Sequence, residues 1–261
     1  ELGIKVSIVE LADRVMSATF DDRASDIIRK RLLEEGCEVH TENTVERIKG
    51  EDRVREVELQ DGKAMSTDMV VFAIGVSPNL DVVRGTGVDI ERGILVDRHM
   101  QTNVSDVYAA GDVVEIPDLV AGETRPIAIW PNAYRQGEIA GSNMAGKNEE
   151  YEGSFAMNSI ELCGMPTISV GLTDPDADEF EVIERYDEEE SVYKKVVIRD
   201  DRIVGTIFVN DVERAGIYTG LVKSEVDVSG FKNRLLSDDF GLIHLPSDYK
   251  ERLMSGEGIK L

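Results

Sequence analysis

The first forty residues contain the repeating unit of a parallel β-sheet, and this pattern constrains the fold more than any other feature of the sequence. The short apolar run Lys5–Glu10 is typical of a buried strand. Asp21 or Asp22 can cap a helix that continues to Leu33, and a second short strand is predicted over 37–41. The apolar stripe of this helix comprises Ile27, Ile28, Leu32 and Leu33. Strand, helix and strand in this order predict an α/β fold.

After the first strand–helix–strand unit, the sequence predicts two strands with alternating apolar and polar residues and one fully buried strand. Residues 44–48 and 54–60 alternate between apolar and polar side chains, and Asp61-Gly62 is a turn signal. The continuous apolar run Met69–Ile74 predicts a fully buried strand that ends at Gly75.

The middle of the chain contains short extended segments and one helix. Strands are predicted at 94–96 and 107–110, the second of which leads into Gly111-Asp112. Trp130-Pro131 predicts the start of a helix that continues to about Met144, since proline is favoured at the first helical position.

The character of the sequence changes near 147–153, which predicts a separate α+β module from Tyr151 onward. The predicted strands are 168–170, 180–185, 192–199 and 203–209, and the predicted helices are 212–223 and 231–236. Asp200-Asp201 lies where a hairpin turn is expected.

Charge and cysteine content restrict the partners and the compartment. The chain has 29 basic and 52 acidic residues and a formal net charge of −23. Nucleic acid is therefore a poor partner, since its phosphates attract clustered Lys and Arg, and no apolar run has the roughly 20 residues of a membrane helix. Cys37 and Cys163 lack metal-binding or disulfide-framework spacing, so we expect two small core residues in a cytoplasmic protein.

Glu10 is the first candidate site residue. An acid that ends the second strand of a dinucleotide-binding fold binds the adenosine ribose hydroxyls and repels a 2′-phosphate. The glycine-rich phosphate loop of such a fold would lie about 20 residues before this acid. Because the chain starts just before a strand, we expect it to be a portion of a longer polypeptide.

The second candidate is Gly111-Asp112 at the end of 102–112. An apolar strand that runs into small residues and then Gly-Asp allows a ligand to approach the backbone closely. The segment Ala73–Asn79 precedes it, and the helix at Trp130-Pro131 follows it. The combination of these segments in this order makes the candidate more specific.

These segments together resemble the flavin-dependent pyridine nucleotide–disulfide oxidoreductases. The resemblance rests on Ile-Val-Glu10, Ala73-Ile-Gly-x-x-Pro-Asn79, Thr102-x-x-x-x-Val-Tyr-Ala-Ala-Gly-Asp112 and Arg135-Gln136-Gly137, and it covers roughly residues 1–150. Residues 151–261 resemble the small C-terminal domain of the branch that contains NADH:rubredoxin reductases and the flavin part of NADH-dependent nitrite reductases.

The resemblance implies a set of cofactor-binding residues for FAD and NAD. Gly111 and Asp112 would hold the ribityl and pyrophosphate region of FAD, Glu10 would contact the NAD ribose, and Gly75 would lie along the nicotinamide nucleotide. The backbone at the helix start would face the flavin pyrimidine edge, and it consists of Trp130, Pro131 and Asn132. A helix N-terminus presents free N–H groups and partial positive charge, so it would stabilise the anion of reduced flavin.

The resemblance also implies a division into three parts. Residues 1–78 would be the C-terminal part of an NAD-binding domain, 79–150 the C-terminal part of an FAD-binding domain, and 151–261 a small α+β interface domain. Both Rossmann-like domains would be partial, because this chain contains neither of the two glycine-rich loops nor the first flavin-domain helix with its redox cysteines. No catalytic residue is assigned, and no metal site is expected.

We therefore expect part of an NADH-dependent FAD oxidoreductase that is inactive by itself. Its partners would be NADH, a small redox protein or a disulfide, and a second copy of the chain. Two alternatives remain: a relative of coenzyme A-disulfide reductase or NADH oxidase, and a binding or assembly module without catalysis. Two Gly-x-Gly-x-x-Gly segments in the preceding reading frame would favour the oxidoreductase.

Overall fold

The computed structural model describes residues 3–175 and 178–255 of the 261-residue chain. Its thirteen described strands are β1 (Ser7–Val9), β2 (Glu38–His40), β3 (Val45–Lys49), β4 (Glu56–Leu59), β5 (Ala64–Ser66), β6 (Ile94–Leu95), β7 (Val114–Pro117), β8 (Thr124–Arg125), β9 (Met157–Leu162), β10 (Met165–Gly171), β11 (Glu181–Asp187), β12 (Val192–Arg199) and β13 (Arg202–Val209). Its described α-helices are α1 (Asp22–Glu34), α2 (Trp130–Met144), α3 (Ala215–Lys223) and α4 (Ser247–Met254).

The strands form four sheets, and together with the helices they confirm a mixed α/β fold. β1 and β2 pair in parallel with α1 between them in the chain, as predicted for a strand–helix–strand unit. β3, β4 and β5 form an antiparallel meander, and β7 pairs in parallel with β6 and antiparallel with β8. The last five strands form one antiparallel sheet in the order β11-β12-β13-β10-β9.

Helix α1 begins where the sequence predicted. Asp21 is its N-cap, and the Asp21 carboxylate accepts a hydrogen bond from the backbone N–H of Ala24 at 3.0 Å. Ile27 and Ile28 are buried, but Leu33, which was predicted to share their stripe, is 42% exposed. The buried face of α1 packs against Tyr193 and other residues of the five-stranded sheet.

The predicted buried strand Met69–Ile74 does not form, and this prediction was wrong. Phe72 is 66% exposed and Ile74 is 88% exposed, and neither residue lies in a strand. A buried parallel strand needs a neighbour in the sheet and cover on both faces. Among residues 3–175 and 178–255, β1 pairs only with β2, and no strand pairs with this run.

Other boundaries also differ from the sequence expectation. Residues 107–110 form no strand, since Asp106 turns the backbone with φ of 63° and only Tyr108 makes an isolated bridge, to Gln101. The predicted helix 231–236 is a single turn of 3₁₀ helix over Lys232–Arg234. The Asp200-Asp201 turn is confirmed, because both residues have positive φ and join β12 to β13.

No helix among the described residues is long and apolar enough to cross a membrane.

Three buried tyrosines predict a loss of stability in alkali. Burial raises the pKa of the Tyr193, Tyr218 and Tyr151 hydroxyls above their ordinary value of 10.0, and the nearby Asp21 carboxylate raises that of Tyr193 further. The folded chain therefore holds these protons more tightly than the unfolded chain, so the free energy of unfolding falls as the pH rises above 10. Urea unfolding at neutral pH and above pH 10 measures this fall. The variant Tyr193→Phe should show a smaller fall, and a midpoint independent of alkaline pH would contradict the prediction.

Candidate functional site

The loop at Gly111 is joined to helix α2 by a hydrogen bond. Gly111 has φ of 91°, a conformation that favours glycine, and its N–H donates to Oε1 of Gln136 at 2.7 Å. A Cβ at Gly111 would lie 3.7 Å from the Cβ of Ala133, so the loop lies against the first turn of α2. Asp112 follows the glycine and is exposed. The two segments that the sequence placed in order along the chain are therefore adjacent in space.

The N-terminus of α2 is open to a ligand. Its N-cap residue, Ile129, has an extended backbone and provides no side-chain acceptor for the helix N–H groups. Pro131 is exposed in the first turn, and Trp130 is 89% exposed. An uncapped helix start carries partial positive charge and favours a negatively charged group.

Asn132 differs from its two neighbours because its side chain points into the protein. It is buried, its Nδ2 donates to the carbonyl of Ile127 at 3.2 Å, and its Oδ1 accepts from Oγ of Ser154 at 2.7 Å. The Asn132 side chain therefore anchors the first turn of α2 from within.

Two further polar side chains complete the same cluster, and the sequence analysis assigned them no role. Gln136 is 1% exposed and Tyr151 is 5% exposed, and their side chains are hydrogen-bonded to each other. Tyr151 is also hydrogen-bonded to Ser154. Burial raises the pKa of Tyr151, although the bonds with Gln136 and Ser154 and the charge of Arg135 lower it. Only the Arg135-Gln136-Gly137 motif had pointed to this part of the helix.

Glu10 lies where β1 ends and is held by the backbone on each side. Its N–H donates to the carbonyl of His40 at 2.8 Å, and its carbonyl accepts from the N–H of Asn43 at 3.1 Å. The Glu10 carboxylate accepts one hydrogen bond, from the N–H of Ala12 to Oε1 at 2.9 Å. The backbone of Glu10 is thus held in place, and Oε2 of its carboxylate can accept a hydrogen bond from a further donor.

Gly75 lies in the exposed segment that replaces the predicted strand. It has φ of 90°, and apart from its two chain neighbours no described residue lies within 4 Å of the position that a Cβ would occupy. Among the described residues, no hydrogen bond or ion pair joins Glu10 or Gly75 to the Gly111 loop or to α2. The structure therefore brings together Gly111, Asp112 and the start of α2, and in the part of the chain that it describes it shows no such bond from Glu10 or Gly75 to them.

The cysteines do not form a redox centre among the described residues. Cys163 was expected in a core but is exposed at the β9–β10 turn, where its φ of 52° places it in a tight hairpin connection. Cys37 is partly buried against the α1 cluster. Both thiols are free, and no group of His, Cys, Asp or Glu in the described ranges could hold a metal ion.

The site around Gly111 fits the flavin that the sequence resemblance implies. A glycine of positive φ allows close approach to the backbone, and the uncapped start of α2 suits an electron-rich ring edge. Two cavities, of about 90 and 310 Å³, are lined by other residues. Asp112, Trp130 and Pro131 are exposed, so the candidate site faces the surface of the described chain.

Comparison with known proteins gives matches along most of the chain. The family model "Pyridine nucleotide-disulphide oxidoreductase" matches residues 1–137, and "Rubredoxin NAD+ reductase C-terminal domain" matches residues 157–226. Nitrite reductase [NAD(P)H] of Bacillus subtilis is 30% identical over 87% of this chain and 28% of its own length. Subunit epsilon of the NADH-dependent phenylglyoxylate dehydrogenase of Aromatoleum evansii is 31% identical over 90% of this chain and 56% of its own length.

A solved structure agrees with the sequence matches. The FAD-dependent pyridine nucleotide-disulphide oxidoreductase of Desulfovibrio vulgaris superposes with a TM-score of 0.79 at 27% identity, covering 91% of this chain and 62% of that one. The chain thus spans between about a quarter and just over half of the length of the two curated relatives.

Proposed function

Since the chain belongs to the pyridine nucleotide-disulphide oxidoreductase family, we propose that it forms part of an NADH-dependent FAD oxidoreductase. The observation that carries this proposal is the contact of the Gly111 loop with the uncapped start of α2. NADH would give a hydride to FAD, and the electrons would pass to a small redox protein, a disulfide or oxygen. By the same proposal, residues 1–78 and 79–150 belong to NAD- and FAD-binding domains, and 151–261 to an interface domain.

Each part of the candidate site has a role in this proposal. Bound FAD would supply the redox chemistry, and the protein would hold and polarise it. Gly111 and Asp112 would bind its ribityl and pyrophosphate region. The backbone of Trp130, Pro131 and Asn132 would present the positive end of α2 to the flavin ring. That end favours the added negative charge by about 0.3–1 kcal/mol when exposed, and by up to about 2 kcal/mol when partly buried.

The NAD-binding role falls to Glu10 and Gly75. Glu10 directly follows β1, a strand of a parallel pair, and an acid at the end of such a strand can reach the adenosine ribose of a dinucleotide. Its fixed backbone and its available Oε2 support this role. Gly75 offers open backbone along which the nicotinamide nucleotide would lie.

The partner and the compartment belong to the same proposal. A small redox protein as acceptor is supported by the match of residues 157–226 to the rubredoxin NAD+ reductase C-terminal domain. A cytoplasmic location fits two free thiols among the described residues. Self-association through the C-terminal module is the remaining element of the proposal.

The proposal predicts that Trp130 will report the binding of FAD. Trp130 is the single tryptophan of the chain and lies at the predicted edge of the flavin, so its emission should be quenched as FAD is titrated. The titration is run on this chain and on the complete polypeptide that contains it, and the visible flavin band is recorded in parallel. We expect quenching and a shifted band in the complete polypeptide, followed by bleaching when NADH is added.

The control for this titration is Trp130→Phe. It should remove the tryptophan emission of this chain and the Trp130 share of the quenching in the complete polypeptide, and leave the shifted flavin band in place. A shifted band with this chain alone would show that its residues suffice for binding. A complete polypeptide that shows neither a bound flavin band nor bleaching by NADH would overturn the proposed function.

A further inference from the structure

Four buried or half-buried polar side chains lie behind the start of α2, and we call them the α2 relay. They are Gln136, Tyr151, Ser154 and Asn132. The relay links the backbone of the Gly111 loop at one end to the backbone of Ile127 at the other. Both ends adjoin the candidate flavin site.

Backbone groups fix the direction of the hydrogen bonds at the two ends of the relay. The Gly111 N–H can only donate, so Gln136 turns Oε1 to it and must offer Nε2 to the Tyr151 oxygen. The Ile127 carbonyl can only accept, so Asn132 turns Nδ2 to it and Oδ1 toward Ser154.

The middle of the relay follows from the same inventory of donors. Ser154 has one proton, and it donates this proton to Oδ1 of Asn132 at 2.7 Å. The Tyr151 side chain is hydrogen-bonded to both Ser154 and Gln136, so it links the Asn132 end of the relay to the Gln136 end. We therefore expect a substitution of Tyr151 or Gln136 to weaken the connection between the two ends.

The relay is anchored to strand β7 and to the segment that leads into the C-terminal module. The N–H of Ser154 donates to the carbonyl of Pro117 at 3.1 Å, and the N–H of Leu119 donates to the carbonyl of Ser154 at 2.8 Å. The N–H of Tyr151 donates to the carbonyl of Arg98 at 2.7 Å. These backbone bonds give the Tyr151 and Ser154 side chains a fixed support.

We propose that the α2 relay positions the Gly111–Asp112 loop against the start of α2, so that both parts contact FAD at once. This inference rests on the proposed function and adds positioning residues to it. Gln136 and Tyr151 are assigned no contact with the cofactor. They fix the separation of the two segments that do contact it, and through residues 151–154 they couple the C-terminal module to the flavin site.

The protonation of Tyr151 agrees with this role. Because burial raises the pKa of its hydroxyl, Tyr151 keeps its proton and stays neutral at neutral pH. All four side chains of the relay are therefore uncharged under the conditions in which an NADH-dependent enzyme works.

Two substitutions test the relay in the complete polypeptide. Gln136→Met keeps the length of the side chain but removes the acceptor of the Gly111 N–H, and Tyr151→Phe removes only the central hydroxyl. We expect each to raise the FAD dissociation constant, by roughly ten-fold for Gln136→Met. We also expect each to speed hydrogen exchange at the Gly111 amide in the flavin-free protein and to shift the flavin midpoint potential.

The matched control is Tyr218→Phe in the C-terminal core. Tyr218 is 4% exposed, and its hydroxyl donates to the carbonyl of Leu235, so the substitution removes one buried hydroxyl of the same kind. It should lower thermal stability and leave Gly111 exchange and FAD affinity unchanged.

The outcomes separate the relay from the function on which it rests. A wild-type polypeptide that binds no FAD overturns both proposals. Flavin binding in the wild type, with unchanged affinity and unchanged Gly111 exchange in folded Gln136→Met and Tyr151→Phe, overturns the relay alone. Tyr151→Phe decides the matter if Gln136→Met does not fold.

Discussion

Replacing Lys195 with methionine will lower the free energy of unfolding by about 3–5 kcal/mol, because it leaves a buried carboxylate without its cation. Nζ of Lys195 lies 2.8 Å from Oδ2 of Asp21, and each side chain is only 8% exposed. The Tyr193 hydroxyl also lies 2.8 Å from the same oxygen, while Oδ1 of Asp21 caps α1. One carboxylate thus joins helix α1 to strand β12 of the C-terminal sheet.

The second half of this experiment removes the charge that Lys195→Met leaves behind. Asp21→Asn retains an N-capping side chain but carries no charge. We expect the double variant Asp21→Asn with Lys195→Met to recover most of the lost stability, since a neutral buried pair often equals a buried ion pair. Urea unfolding of the single and double variants gives the coupling energy directly.

A surface lysine provides the control. Nζ of Lys147 lies 3.3 Å from Oε1 of Glu149, but its side chain is 65% exposed, so Lys147→Met should change stability by less than about 1 kcal/mol. If Lys195→Met cost no more than Lys147→Met, the buried pair would not hold α1 to the sheet.

The contrast between α1 and the run Met69–Ile74 shows what local sequence can predict here. The cap and apolar stripe of α1 are local, and they predicted a start at Asp21 or Asp22 and an end near Leu33, which the helix Asp22–Glu34 with its cap at Asp21 confirms. Whether an apolar run is buried depends on its neighbours in three dimensions, and among the described residues Met69–Ile74 has no strand partner. Its composition resembles that of a core strand, but its side chains are exposed.

The contact of α1 with the C-terminal sheet could not be predicted from local sequence patterns for the same reason. Asp21 and Tyr193 are 172 residues apart in the chain, and no periodicity relates them. Cys163, like the run Met69–Ile74, was predicted to be buried but is exposed. Its residue type favours burial, but the Cys-Gly turn between β9 and β10 fixes it at the surface.

The candidate site, too, was predicted from the sequence only in part. The family resemblance of Gly111-Asp112 and Trp130-Pro131 predicted a shared flavin site, and the Gly111–Gln136 bond shows that the two segments adjoin. The relay itself could not be predicted from the sequence, since its polar residues are identified only by the contacts between donors and acceptors in the folded chain. Buried polar networks of this kind are defined by geometry, and sequence supplies only the inventory of groups.

Replacing Glu10 with glutamine should raise the KM for NADH of the complete polypeptide by about ten- to a hundred-fold and lower its KM for NADPH. A hydrogen bond to a charged group contributes about 1.5–3 kcal/mol, and the proposed bond from the NAD ribose to Glu10 is of this kind. The carboxylate would also repel the 2′-phosphate of NADPH, so a neutral amide relieves the repulsion. Initial rates with the two nucleotides measure both effects.

The value of kcat distinguishes this binding role from a catalytic one. The adenosine ribose is remote from the hydride, so loss of its contact removes binding that ground state and transition state share, and kcat should stay unchanged. Glu38→Gln is the matched control, because Glu38 lies on the neighbouring strand β2 with a 64% exposed side chain and loses the same charge. Equal KM values for NADH in the two variants, or a fall in kcat confined to Glu10→Gln, would show that Glu10 does not select the nucleotide.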